Sequence, residues 1–599
     1  VGAEDILVLR AHVLCGVVRG HCDGGSEPGA AATGCGAHYH KSRVSAKTYP
    51  VANAPGTDSR FVSVDSYVLM SVVTVCVRVT FFTLVRSRQI AGRYGATNSR
   101  GASKGFLRLS LALVCLLCLA ASASARSLEV KITVASVSPA RIHVEGRRAD
   151  GATAWSFRNF YGSAGGLAER IENLVLSDEG GAEVAARMLA PGEFTAAKAA
   201  TRFSYYLKLD PPAFVSDASH VSWLTTDRGL LMPGDILPLP LTDAKVEIVL
   251  PSGWSVSTVE TNNGKGVFDV TDAEKSVFFI GRNIRERNVR VGELKFTLAT
   301  AGEWAFSDGD AEDSARDILK IYEDMIGGAT RQRSMLVLSA QPQTAAAGNL
   351  WNAETRGSTV VLVSGRLPSK LAALAQLDGA LSHELLHLWI PNGLALEGDY
   401  DWFYEGFTNY QALRVGMRRG QLTFQDYLNA LGRAFDAYKS ARSAKEISLI
   451  EASKRRWPNS NSLIYHKGML VALLYDLTLM RQTGGKNSLG DVYRELFRLY
   501  GQGAKRVDGN RAIIELLSGM PGMRDFVERY VSGESEIILG PMIEAFGLRI
   551  EPGGARTHIG VAESLDRGQR ESLRKLGYNG TSGSEARRLH EQMKRRPPR

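Results

Sequence analysis

The chain of 599 residues has room for two or three domains with large cores, and its net charge of +10 would suit a nucleic-acid- or membrane-binding protein. The distribution of that charge excludes such a role for the body. Residues 1–125 carry 13 Lys/Arg against 6 Asp/Glu, the last fifteen carry six against two, and the stretch between is close to neutral. All six cysteines (Cys15, Cys22, Cys35, Cys76, Cys115, Cys118) lie in the first 118 residues, which excludes a disulfide framework or a thiolate metal site from everything after them.

Taken in chain order, residues 1–103 begin with Val, contain no Met before Met70 and lack periodicity, so a non-folded upstream extension is expected there. A competing reading of Val62 to Val85 as a membrane anchor would bury Arg78 at a cost of up to about 2.5–3.5 kcal/mol. Residues 104–125 have the three parts of a secretory signal peptide: Lys104 and Arg108, an apolar run from Leu109 to Ala120, and the small residues Ala121 to Ala125. Cleavage after Ala125 would leave a mature chain without a stable membrane span, exported to the periplasm or the extracellular space. Neither Cys115 nor Cys118 follows the small residue a lipoprotein site needs.

From 126 to 301 the pattern is period-two and β-branched, as in Leu128 to Val134 (LEVKITV) and Val291 to Leu298 (VGELKFTL), and predicts an antiparallel β-rich domain. Near Gly302 the character changes. Asp310 to Met325 predicts a helix, Ser334–Leu338 and Ser358–Val363 predict strands, and Leu371 to Leu388 is apolar at helical spacing until Pro391-Asn392-Gly393 stops it. From Thr408 to Ser532 the pattern is almost wholly helical. The predicted class is α+β: a β domain, a thermolysin-like catalytic domain over 302–535 with a helical C-terminal part, and a short segment at 536–599 that becomes a basic polar tail from about Arg567.

The chemistry sits in that second region. His383-Glu384-Leu385-Leu386-His387 places two histidines about 400° apart round a helix, so both imidazoles project toward one point. Glu384 stands beside that point as a general base rather than a ligand. Eighteen positions past His387, Glu405 lies in the first turn of a second helical run beginning near Trp402 and offers a third ligand. Three protein ligands with one open position suit a catalytic zinc, one per chain. The pentapeptide alone also arises on amphipathic helices that bind nothing; the stop signal and the downstream glutamate distinguish this one.

These residues resemble the gluzincin metallopeptidases and, among them, the glycyl aminopeptidase family. Further stretches agree: Gly420-Gln421-Leu422-Thr423 before Tyr427-Leu428, Ile464-Tyr465-His466-Lys467-Gly468 leading to Asp476, and Asn487 to Val492. The resemblance covers about 348–532. It implies zinc on His383, His387 and Glu405, Glu384 as general base, and Tyr465 as hydrogen-bond donor to the oxyanion, acting on a peptide or protein substrate. Asn409 would be a partner for a ligand histidine, and His466 and Lys467 a pair on the helix surface. One departure bears on specificity. Where relatives carry an acid that holds the substrate's free amine, this chain reads Gly348-Asn349-Leu350-Trp351, with Trp351 in the acid's place and Glu354 displaced. Gly348, Asn349 and Trp351 remain candidate substrate-binding residues, and an endopeptidase acting on blocked peptides stands beside the aminopeptidase. The alternative from another class is a peptide-binding protein that kept the zinc scaffold without catalysis; an intact Glu384 and Tyr465 argue against it.

Overall fold

The computed structural model describes residues 128–328, 332–342, 351–441, 446–456, 460–501 and 503–580. The expected extension, the signal peptide, the alternative anchor, Gly348, Asn349 and the last nineteen residues lie outside them.

The chain is α+β, with a β-rich N-terminal region and a helical C-terminal part. The period-two segments of the first region pair into a nine-stranded sheet whose long central members are Ala140–Ser156 and Glu193–Lys208. The sheet is mixed rather than purely antiparallel. Leu128–Val137 runs parallel to Ala244–Val249, with Leu128 opposite Ala244 and Ile132 opposite Ile248. A four-stranded sheet that includes Arg228–Leu231 and Phe278–Gly281 packs against it through Leu231, Phe278 and Ile280.

The opposite face of that small sheet explains where the second region begins. Trp223, Leu230 and Phe279 meet Ala299, Met335, Val337, Val361 and Val363. The run Val291 to Leu298, predicted as a strand of the β domain, spans the turn of a hairpin whose arms, Arg285–Val291 and Leu294–Ala301, belong to the next sheet. Leu294–Ala301 lies parallel to Arg333–Ala340, which lies parallel to Thr359–Ser364, and Trp351–Arg356 closes the edge antiparallel to the last. Both faces of this five-stranded sheet are covered, so alternate residues serve different cores. Leu336, Leu338, Val360 and Leu362 face the helices, while Met335, Val337, Val361 and Val363 face the small sheet. Period-two patterning could not place the boundary, because both sets of positions are apolar.

Helix Asp308–Ile326 starts at a capping box, with Ser307 accepting from Asp310 N and Asp310 accepting from Ser307 N, and ends at Gly327 with φ 90°. Ser369 caps helix Lys370–Glu384. Among the described residues one helical segment, Leu463–Gln482, is apolar and long enough to cross a membrane; 89% of it is buried inside the protein as the core helix of the bundle.

The C-terminal segment is more ordered than its composition suggests. Leu548–Glu551 and His558–Val561 form a hairpin, and Arg567–Lys575, expected as polar tail, is a helix opened by an Asp566–Gln569 capping box. Its few apolar residues are the reason: Leu573 and Leu576 insert into the main core. The hairpin is pinned by Thr557, which donates from N and Oγ1 to Asp436, and its Thr557 carbonyl faces Gly432 so closely that a Cβ there would collide with it. Gly432→Ala is expected to cost about 1–3 kcal/mol through overpacking and to lower the Tm measurably by calorimetry; an unchanged Tm would show that the hairpin does not dock on helix Phe424–Ala441, which carries Gly432 and Asp436.

Candidate metal centre

Helix Lys370–Glu384 carries His383 and Glu384 in its last turn, and the chain then tightens into a 3-10 turn, Leu386–Leu388, that presents His387. The expected single helix to Leu388 is thus broken near its end, yet the two rings still lie together with centroids 4.7 Å apart. Glu405 comes from the turn Trp402–Phe407, which is wound as a π-helix before helix Thr408–Arg418. Tyr465 sits in a second π-helical turn, Leu463–Lys467, ahead of helix Gly468–Gln482. The two wide turns cross at Gly406 and Gly468, where a Cβ on Gly406 would stand 2.6 Å from Gly468 Cα and 2.7 Å from Ile464 O. Single π turns interrupting a helix are frequent at functional sites. Here they turn Glu405 and Tyr465 toward the same point.

His383, Glu384, His387 and Glu405 are all buried. His387 Nδ1 donates to the Ile390 carbonyl at 2.9 Å, so in the neutral ring it is Nε2 that carries the lone pair. That lone pair stands 3.0 Å from His383 Nε2 and 3.6 Å from Glu405 Oε2, and His383 Nε2 stands 3.2 Å from the same oxygen. Tetrahedral donors about 2.0–2.2 Å from a common centre lie about 3.3–3.6 Å apart. Three donor atoms 3.0–3.6 Å apart, within about 0.3 Å of that spacing, fit a divalent cation once the rings are neutral and the carboxylate ionised. These are also the three residues that could hold a metal among those described.

Charge is arranged round the cluster. Burial acts to raise the Glu405 carboxyl, but the Arg456 guanidinium beside it prevails and holds it well below the usual carboxylate range. Burial and the nearby Glu405 raise the Tyr465 hydroxyl well above its ordinary value, so it remains a proton donor. Thr355 Oγ1 lies 2.7 Å from Glu384 Oε2 and 2.8 Å from the Glu384 carbonyl, its one hydrogen shared between the two acceptors. Thr355 reaches it because residues 351, 353 and 355 of the edge strand face the helices.

Trp351 follows from the same alternation. Its indole is buried in the helical core beside Ala353, which makes it a packing residue rather than part of a substrate wall. The carboxylate on this strand is Glu354, turned to the other face, where it meets Tyr161 Oη, His220 Nδ1 at 2.7 Å and Arg356 Nε at 3.7 Å. Burial opposes its ionisation, but Arg356 and His220 prevail and lower its pKa to about 2. Asn409 Oδ1 and His383 Nδ1 are both buried without a hydrogen bond, so the expected contact between Asn409 and a ligand histidine is not made. Lys467, expected on the surface, is fully buried, donating to Glu446 Oε1 at 2.6 Å and to Ile447 O at 3.0 Å. His466, half-buried, faces Ser462 Oγ and O, both at 2.9 Å.

Two contributors carry no sequence signal. Thr355 is one residue of a short strand, and Arg456 ends the run Lys454-Arg455-Arg456, which reads as a solvated charged face.

The M61 glycyl aminopeptidase family profile matches residues 376–471, which contain every one of the metal-facing residues and Tyr465. Among solved structures, an aminopeptidase N family protein from Idiomarina loihiensis is similar over 71% of this chain and 79% of its own, at 17% identity and a TM-score of 0.62. An M1 zinc metallopeptidase variant from Deinococcus radiodurans, bound to a Tyr-Ser-Ala substrate, is similar over 69% and 94% at 12% identity, with a TM-score of 0.47. No curated protein matches. The gluzincin resemblance read from the motifs is borne out, and the chain is a zinc aminopeptidase-like enzyme.

Gly406→Ala is expected to force the π turns apart by the width of a methyl group. The outcome should be a loss of about 1–3 kcal/mol of stability together with reduced zinc retention, read by calorimetry and by metal analysis after dialysis. Wild-type values for both would show that the crossing is slack.

Proposed function

We propose that this aminopeptidase-like zinc metallopeptidase hydrolyses peptide bonds with zinc held by His383, His387 and Glu405. The observation that carries the proposal is the convergence of those three donors at 3.0–3.6 Å with the Glu384 carboxylate beside them. When bound there, zinc supplies a Lewis-acidic centre that acidifies water and polarises a carbonyl. Glu384, with one oxygen fixed by Thr355, takes a proton from the attacking water as the new C–O bond forms. It delivers that proton to the amide nitrogen as the C–N bond breaks, so one water is consumed and an acid and an amine are released. Tyr465 donates its hydrogen to the carbonyl oxygen as negative charge develops there. A thermolysin-like catalytic domain accords with an antiparallel edge strand beside the motif helix and a helical bundle after it. The signal-peptide pattern at 104–125 supports an exported enzyme of the periplasm or the extracellular space.

Cleavage next to a free amine needs a carboxylate for the ammonium. Trp351 is committed to the core, and the carboxylate of the edge strand, Glu354, points to the face opposite Thr355, where His220 and Arg356 already compensate its charge. An aminopeptidase would therefore hold the ammonium through another group, and an endopeptidase would need none.

Expression of residues 126–599 tests both levels. Glu384→Gln is expected to lower kcat by about 10²–10⁴-fold while the protein still retains zinc; full activity would refute the mechanism, and zinc without any turnover in the wild type would favour the binding-protein alternative. Chelation should abolish hydrolysis, and added zinc should restore it. Preferential cleavage of free-amine peptides over N-acetylated ones by the wild type would mark an aminopeptidase. Equal cleavage of both by the wild type would make the enzyme an endopeptidase.

A further inference from the structure

Arg456 joins the third metal-facing residue to the oxyanion donor. Its Nη2 lies 3.0 Å from Glu405 Oε1 and 3.1 Å from Tyr465 Oη, and an Nη2 group has two hydrogens, one for each. Its other end is fixed independently: Nη1 donates to Asp401 Oδ1 and, at 3.3 Å, to Tyr404 Oη, whose own hydroxyl donates to Asp401 at 2.6 Å. Asp401 is buried, and the guanidinium is four-fifths shielded, with only 21% of the side chain exposed. A planar fork held at both ends has one position open to it.

We infer that Arg456 is the positioning residue of this site, fixing Glu405 and Tyr465 at a set distance from each other through a single nitrogen. This rests on the peptidase reading above. The consequence for Glu405 is that its Oε1 is occupied, which leaves Oε2, the oxygen facing both imidazoles, for the metal. The consequence for Tyr465 is chemical. Its oxygen accepts from Arg456, so the hydroxyl proton must point away from the guanidinium, and the cation beside it makes that proton a better donor to a developing negative charge. A lysine cannot reproduce this. One ammonium has hydrogens enough for both Glu405 and Tyr465, but it lacks the planar second nitrogen that Asp401 holds, so nothing fixes its position between them.

The test uses Arg456→Lys and Arg456→Gln in residues 126–599, alone and with Tyr465→Phe. Zinc affinity by chelator competition and steady-state kinetics are the readouts, and calorimetry confirms folding. Both single variants should bind zinc about 10–100-fold more weakly and, saturated with zinc, lose about 10–100-fold in kcat with little change in KM. In the Tyr465→Phe background the further loss in kcat should shrink to a small fraction of that, since the residue through which Arg456 acts has already lost its hydroxyl. The inference is overturned by zinc affinity and kcat within twofold of wild type in the folded variants. It is equally overturned by an effect confined to KM, which would make Arg456 a substrate contact, or by a kcat loss of the same size with and without Tyr465. A wild type that binds zinc but cleaves nothing would sink the peptidase reading alone, because weaker zinc binding by the variants would still report Arg456 acting on Glu405.

Discussion

Gly406 against Gly468 is the contact on which the geometry of the centre depends. Two helical segments can approach this closely only where neither carries a Cβ, and here the close approach coincides with a π-helical turn on each side. A π turn rotates the residues it carries relative to the helix that follows, and packing two of them together orients Glu405 and Tyr465 from different elements toward one volume. The motif helix supplies the other wall, with Glu384 held from the edge strand by Thr355. Each functional group therefore has its direction set by backbone packing and by one further hydrogen bond.

Buried charge is handled the same way throughout the bundle. Lys467 pairs with Glu446, Arg414 with Asp476, Arg419 with Asp378, and Arg456 with Asp401 and Glu405. An unpaired ion in such surroundings costs several kcal/mol, and each pair is useful chiefly because its geometry is unique. Two pairs do structural work: Lys467 ties the helix that follows Tyr465 to the 446–447 backbone, and Arg414 with Asp476 ties the helix that follows Glu405 to the helix that follows Tyr465. Arg456 extends the pattern into the site itself, where the partner is a residue facing the metal.

Much of this was legible in the sequence. The spacing of His383, Glu384 and His387, the stop signal after them and the downstream glutamate need only helical periodicity, which is local. Capping residues such as Ser307 and Ser369 mark helix starts by local chemistry as well. The errors are of another kind. Lys467 was read as a surface charge, and Arg456 gave no signal, because a lone cation gives no indication of a buried partner distant in sequence. The run Val291 to Leu298 was placed with the β-rich region before it because period-two patterning does not reveal which sheet a strand joins. Trp351 was read by position in a motif, whereas the pleat of the edge strand decided which way it points.

What the sequence by itself determined is the chemistry available: two imidazoles, a base and a third carboxylate at helical spacings, on a chain whose cysteines all lie near its start. Those properties depend on residues close together along the backbone. Only the tertiary structure decided which groups meet: Thr355 with Glu384, Tyr465 and Arg456 with Glu405, and Glu354 with His220 and Tyr161. Such contacts join segments separated by 9 to 193 positions. Apart from the short Arg456–Tyr465 span, nothing in local periodicity carries information across that distance; the packing of strand on helix and glycine on glycine does.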